Sequence, residues 1–218
     1  MSGMTKIDKK VLVLCDDFWH PAQVPKDGLS PLKDHGFTFD WIEDARDWSA
    51  KLMANYPLVI LTKSNNVSSS NLGEWMTDDV QAVFAEYVRN GNGLLAIHSG
   101  TAEYQDALVL QNLLGGVFDH HPEQCEVNLE PQAGHLLTKG VETFTVKDEH
   151  YFMSLQDPYA DVFLISRSEH GEQPAGWKRE VGKGRVAVLT PGHNLEVWLN
   201  PNFQMLLLNT MGWCNGTI

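Results

Sequence analysis

The sequence predicts one α/β domain over residues 1–218, built on a mostly parallel sheet, and three observations carry that expectation. The runs Val11-Leu12-Val13-Leu14-Cys15, Pro57-Leu58-Val59-Ile60-Leu61 and Leu94-Leu95-Ala96-Ile97 are apolar without alternation, as in strands covered on both faces. Between the runs lie stretches with helical spacing, clearest where Val80, Val83, Phe84, Tyr87 and Val88 recur at i, i+3, i+4, i+7 and i+8. The joins are short, and no repeat, low-complexity tract or linker divides the chain. At 218 residues a single continuous core is affordable, so no second domain is needed.

Each element has its own signal. Val11 to Cys15 reads as the first, central strand, with Asp16, Asp17, Phe18, Trp19 and His20 at its carboxyl end. Pro21 and Pro25 lead to a helix near Ser30 to His35, and Gly36 to Ile42 alternates as a strand does. Helical turns from Asp47 to Asn55 bridge to the strand at Pro57, and Thr62 to Asn66 is a polar loop after it. Thr77 is an N-cap, Asp78 and Asp79 suit the positive end of the helix dipole, and Gly91 stops the helix. Leu94 to Ile97 then gives a buried strand, a tight turn at His98-Ser99-Gly100 and a helix from Thr101, stopped by Gly115-Gly116.

The second half is richer in short strands. Phe118 to Pro122 reads as a loop, Glu126 to Glu130 as an edge-type strand, Gly134 to Gly140 as a loop and Phe144 to Val146 as a strand. Asp148-Glu149-His150-Tyr151 follows; Glu149 and Tyr151, framed by Val146 and Phe152, read as half-buried, whereas Asp148 fits a solvated loop. Asp161 to Ile165 is another strand, Glu169 to Glu172 an exposed tip, and Pro174 to Leu189 a hairpin turned at Gly182-Lys183-Gly184. Thr190-Pro191-Gly192-His193-Asn194 stands at the hairpin's carboxyl end. Asn200 and Pro201 open the last helix, and Trp213 packs its end onto the sheet.

Composition excludes several classes of function. With 16 Lys and Arg against 28 Asp and Glu, the net charge of −12 and the lack of a basic cluster argue against nucleic acid as partner. No apolar run is long enough to span a bilayer, and the polar amino-terminal stretch lacks a secretory core, so a cytoplasmic protein without membrane contact is expected. Cys15, Cys125 and Cys214 are odd in number and widely spaced, which fits neither a disulfide framework nor a cysteine zinc site.

Ligands of open α/β sheets gather at the carboxyl ends of the strands, and His20, His98 and His193 each follow an apolar strand there. If the sheet brings His98 and His193 together near Glu149 or Asp148, the set suits acid–base chemistry near neutral pH. Imidazoles with a carboxylate also suit zinc, manganese or iron, but the spacing matches no local signature such as His-Glu-x-x-His, so a divalent metal is the lesser alternative as cofactor. Ser99 sits where a nucleophile elbow places its serine, yet Ile97-His98-Ser99-Gly100 lacks the Gly-x-Ser-x-Gly pattern, and a serine is also common in tight turns. Trp19, Trp177 and Trp198 are candidate stacking faces for a sugar and, equally, packing residues.

Taken in order, Gly93 to Ser99, His121-Pro122, His135 to Gly140, Asp148 to Tyr151, Gly182 to Val186, and Gly192-His193 followed by Glu196-Val197-Trp198 resemble the trehalose-utilisation (ThuA-like) family. The resemblance spans nearly the whole chain. It implies a three-layer α/β/α sandwich with a flavodoxin-like core, related to class I glutamine amidotransferases but without their elbow cysteine. It also implies catabolism of trehalose or related disaccharides and glycosides, on keto-sugars made by partner dehydrogenases. The matching positions are His98, His121, Glu149, Tyr151 and His193, with His20 a looser match and Ser30 standing where the family pattern commonly has histidine. On this basis His98, Glu149 and His193 are the expected catalytic groups, and His20, Ser99, His121, Tyr151 and Trp198 are expected to contact a small carbohydrate. A non-catalytic sugar-binding or regulatory module and a metal-dependent hydrolase are the competing readings, and a homo-oligomer is a further expectation for this fold.

Overall fold

In the computed structural model, which describes residues 9–218, the strands are β1 (Lys10–Leu14), β2 (Thr38–Ile42), β3 (Leu58–Leu61), β4 (Gly93–Ile97), β5 (Gly116–His120), β6 (Cys125–Pro131), β7 (Phe144–Asp148), β8 (Phe152–Leu155), β9 (Asp161–Ser168), β10 (Gly171–Val181) and β11 (Gly184–Leu189). Nine of them form one mixed sheet in the order β2-β1-β3-β4-β11-β10-β9-β6-β7, and β5 pairs with β8 apart from it. The pairs from β2 through β11 are parallel, and those from β11 to β7 are antiparallel. The amino-terminal stretch read as lacking a secretory core has residues 1–8 outside the described residues.

Alternation of side chains along each parallel strand feeds two cores. Val11, Val13, Leu58, Ile60, Leu95 and Ile97 face Leu29 of α1 (Gln23–Leu29), Val197 and Trp198 of α5 (Leu195–Leu199), and Phe203, Leu206 and Leu207 of α6 (Pro201–Cys214). Leu12, Leu14, Val59, Leu61, Leu94 and Ala96 face Met53 of α2 (Ala50–Met53), Phe84 and Val88 of α3 (Asp78–Arg89), and Leu110 and Leu114 of α4 (Leu108–Leu114). Helices therefore cover both faces, giving the three-layer α/β arrangement. Each fully buried Leu, Ile or Phe contributes about 1.5–3 kcal/mol to this packing.

The antiparallel wing does not lie flat. β7 is four strands from β11, which in a flat sheet would separate them by about 19 Å. Yet the Asp148 carboxylate at the end of β7 accepts the N–H groups of Gly192, at 2.8 Å, and His193, at 3.0 Å, just after β11. The wing consequently curls back over the carboxyl end of the parallel strands.

Several expectations need correction. β1 lies second from the edge of the sheet rather than at its centre. The helix expected at Ser30–His35 is a 3-10 segment continuing from α1, because Pro25 fits the first turn of a helix that starts at Gln23. No helix runs from Thr101: His98–Thr101 is one 3-10 turn, and α4 begins only at Leu108. Phe118 to His120, read as loop, belongs to β5, and β6 is internal, paired on both sides by β7 and β9. Asp148, read as solvated, is 1% exposed. Short polar strands that pair far along the chain leave little local trace, which accounts for the last three. The three cysteines are free, and among the described residues no helix is long and apolar enough to cross a membrane.

Two close approaches locate fragile points. A Cβ on Gly100 would stand 1.9 Å from the Leu61 carbonyl oxygen, so Gly100→Ala should cost about 1–3 kcal/mol or more, read as a lowered urea midpoint. Thr77 caps α3 by accepting the Val80 N–H, so Thr77→Ala should cost about 1 kcal/mol and lower the melting temperature by about 2–4 °C. Unchanged unfolding in either variant would contradict these packing and capping arguments.

Candidate active site

Three strand ends and one turn of the antiparallel wing deliver the site. His20 follows β1, His98 follows β4, His193 follows β11, and Glu149 follows β7. The ring centres of His20, His98 and His193 are 5.0, 5.1 and 5.6 Å apart, a nearly equilateral triangle. Glu149 completes it, with Oε1 3.1 Å from His193 Nδ1 and Oε2 3.4 Å from His98 Nε2 and 3.6 Å from His121 Nε2. One donor atom from each of His20, His98, Glu149 and His193 lies within 4.8 Å of all the others.

Each ring is aimed from behind. The Asp17 carboxylate accepts the N–H groups of Trp19 and His20, both at 3.0 Å, and that of Ser64, at 2.9 Å, and holds His20 Nδ1 at 2.7 Å. His98 adopts φ +49°, sparsely populated for a residue with a side chain, and its Nδ1 donates to the Thr190 carbonyl at 2.8 Å. A carbonyl only accepts, so Nδ1 carries a proton and Nε2 is the nitrogen turned toward Glu149. His193 is set by the Asp148 contacts to its own N–H and to that of Gly192, whose φ of +145° suits glycine. His121 Nδ1 donates to the Pro122 carbonyl at 2.7 Å, leaving its Nε2 free as well.

Charge follows from these contacts. Burial pushes the Asp17 carboxyl up, but the His20 contact and the backbone N–H groups outweigh it and bring it down to about 2. Burial likewise opposes ionisation of Glu149, and the facing His193 and His98 rings overcome it, holding the carboxyl well below its usual range. The same Glu149 contact raises His193, whereas burial lowers His20 and raises Asp148. Although His193 and His98 lie close enough to Glu149 for charge attraction, neither facing nitrogen meets hydrogen-bond geometry. His20 Nε2, His98 Nε2 and His193 Nδ1 are all buried without a hydrogen-bond partner.

His20, Glu149 and His193 of the cluster form one wall of a 340 Å³ pocket, in the size range of small-molecule sites. Trp19, 65% exposed, and Phe118, His121 and Tyr151 line the rest, with Ser64 and Glu103. Tyr151 stacks on His98, ring centres 4.1 Å apart, and meets a tilted Phe118 ring at 4.2 Å, and burial keeps its phenol protonated. Of the sequence candidates, His20, His98, His121, Glu149, Tyr151 and His193 come together. Ser99 is fully buried and its hydroxyl has no partner, away from the residues that line the pocket.

Trp198, expected to touch substrate, is instead 1% exposed; its indole N–H donates to the Gly192 carbonyl at 2.7 Å and braces the turn that carries His193. Trp177 is likewise interior, bonded to the Leu114 carbonyl. Asp17, Glu103 and Phe118 were not singled out from the sequence. A usable signal existed only for Asp17, one of two acidic residues directly after an apolar strand.

A family profile described as ThuA, trehalose utilisation, matches residues 10–214. No curated protein matches the chain in sequence. Among solved structures, a ThuA-like protein from Parabacteroides merdae ATCC 43184 is 17% identical, covering 96% of this chain and 91% of that one, with a TM-score of 0.77. A ThuA-like protein from Bacteroides uniformis ATCC 8492 is 18% identical over 98% of this chain and 94% of that one, TM-score 0.71. A β-galactosidase from Rahnella sp. R3 is 16% identical over 94% of this chain but 32% of its own, TM-score 0.65. At these identities the likenesses speak to fold, and they agree with the flavodoxin-like, amidotransferase-like arrangement. The profile match covers nearly the whole sequence, and the chain belongs to the ThuA family, which implies a role in trehalose utilisation.

Proposed function

We propose that the protein acts in carbohydrate catabolism on trehalose-type disaccharides or related glycosides in their keto-sugar form, by acid–base chemistry beside the carbonyl. The observation that carries this reading is the ionised Glu149 set among His98, His121 and His193 at the wall of an aromatic-lined pocket. A keto group makes the C–H bonds on its neighbouring carbons acidic. A base that removes one such proton leaves an enolate. Returning the proton at another carbon isomerises the sugar, whereas loss of the oxygen substituent one carbon further on, protonated as it leaves, completes an elimination. His98, Glu149 and His193 serve this chemistry, while His20, His121 and Tyr151 border the sugar and Trp19 offers it an indole face.

A second cavity of about 320 Å³ adjoins the first and shares Trp19 and Glu103 with it, which supports a substrate of two rings. Asn66 donates to Glu103 at 2.6 Å, and its buried Oδ1, which has no partner, suits a sugar hydroxyl.

The test is an NMR assay of the purified protein with trehalose, a simple glucoside and their 3-keto forms. New product signals are expected from keto-sugars alone, and His98→Ala with His193→Ala should lower that turnover by about 10²–10⁴-fold. Broadened sugar signals without conversion would instead make this a binding module. Trp19→Ala should raise KM for a two-ring substrate by about tenfold, a loss of roughly 1.4 kcal/mol, with kcat little changed. An equal effect on a one-ring substrate would argue against the second cavity's role.

A further inference from the structure

We infer that His20 Nε2, His98 Nε2, His193 Nδ1 and the Glu149 carboxylate together bind one divalent transition cation, of the zinc, manganese or iron class. This rests on the keto-sugar reading for its chemistry but not for its geometry.

Three buried ring nitrogens without partners converge here, and leaving buried polar atoms unpaired is costly unless something else satisfies them. In His20 and His98 the other ring nitrogen is already engaged, by the Asp17 carboxylate and the Thr190 carbonyl respectively. That outer-partner pattern fixes the tautomer and turns the remaining lone pair toward a metal. The acid–base reading gives His20 no proton to move, although its ring stands 5.0 and 5.1 Å from those of His98 and His193. As a ligand it has a part.

Size and charge agree. Atoms bound at about 2.0–2.2 Å lie at most about 4.4 Å apart across the cation, so a set within 4.8 Å closes by small side-chain rotations. Three imidazoles and one carboxylate favour a borderline cation over calcium or magnesium, which prefer all-oxygen shells. The carboxylates of Glu149, within the cluster, and of Asp17, behind His20, offset the added positive charge.

Manganese and iron accept more than four ligands, and His20, Glu149 and His193 line the pocket with Trp19 and Phe118, so a further ligand can come from the pocket side. A keto oxygen bound there would have its carbonyl polarised, which further acidifies the adjacent C–H bond. His98, Glu149 and His193 then serve the proposed chemistry as ligands. The proton passes to His121 Nε2, whose tautomer the Pro122 carbonyl fixes, and the electron pair it leaves behind delocalises onto the cation-bound oxygen.

The test is metal binding by the full chain, stripped by chelator and titrated separately with Co²⁺, Zn²⁺ and Mn²⁺. Elemental analysis and the Co²⁺ ligand-field spectrum are the readouts. One equivalent per chain is expected for at least one cation. Glu149→Gln, which keeps the side chain's shape, should weaken binding by at least about tenfold. Asp17→Asn should weaken it by about 10–100-fold with the stoichiometry kept, and His121→Ala should leave it intact.

Absence of a stoichiometric site for all three cations in folded wild-type protein would overturn the inference, as would equal binding by wild type and Glu149→Gln. The two proposals fail separately. Binding without turnover of any keto-sugar keeps the cation site and removes the substrate, whereas full turnover by the stripped protein in chelator removes the cation site and keeps the substrate.

Discussion

The Asp148 carboxylate, closed on the N–H groups of Gly192 and His193, is the contact on which the site depends. It joins the far end of the antiparallel wing to the turn after β11, and so brings Glu149 to within reach of His193. Charge-assisted hydrogen bonds to a carboxylate are about twice as strong as neutral ones, and this pair is shielded from water. Asp17 makes the matching contact on the other side, tying the β1 turn to the β3 loop through the Ser64 N–H while aiming His20. Lys63 reinforces that side from the interior, donating to the carbonyls of Asp16, Glu43 and Val67. The histidines are thus held by loops that are themselves pinned by buried charge.

A division of labour follows. The parallel strands supply a rigid frame, because their side chains are buried on both faces and their carboxyl ends fall in one row. The antiparallel wing supplies the single carboxylate of the cluster and, after β7, Tyr151, while the separate β5–β8 pair and the turn after β5 supply Phe118 and His121. Trp198 and Gly28 show how tightly the frame is fitted behind the site: a Cβ on Gly28 would stand 2.5 Å from the Trp198 Cβ. That tryptophan acts through the Gly192 turn rather than on any ligand.

The sequence was most readable where the physics is local. The apolar runs of β1, β3 and β4, the Thr77 cap and the Asn200-Pro201 start of α6 are each decided within a few residues, and each appears as expected. The gathering of His98, Glu149 and His193 was foreseeable in outline, since strand ends and a family pattern point to it. His20 was legible only as a neighbour of the site, because the Asp17 contact that turns its ring into the cluster leaves no local trace. Burial of Asp148 and the strand character of β5 also escaped, since both depend on partners more than thirty residues away. Trp198 was misjudged for the same reason: an indole beside a functional turn looks alike in sequence whether it faces a ligand or braces the backbone.

The curl of the antiparallel wing has a kinetic side. His20 and His193 stand at opposite ends of the chain, and Glu149 is connected to the parallel part of the sheet through the pairs β7–β6, β6–β9, β9–β10 and β10–β11. Pairings between strands distant in sequence raise contact order and in general slow folding, because the loop entropy is lost before the contacts repay it. The three buried nitrogens come together with the parallel strand ends, and the carboxylate joins them late, so a chain with a complete parallel core but an unclosed wing holds the histidines without Glu149.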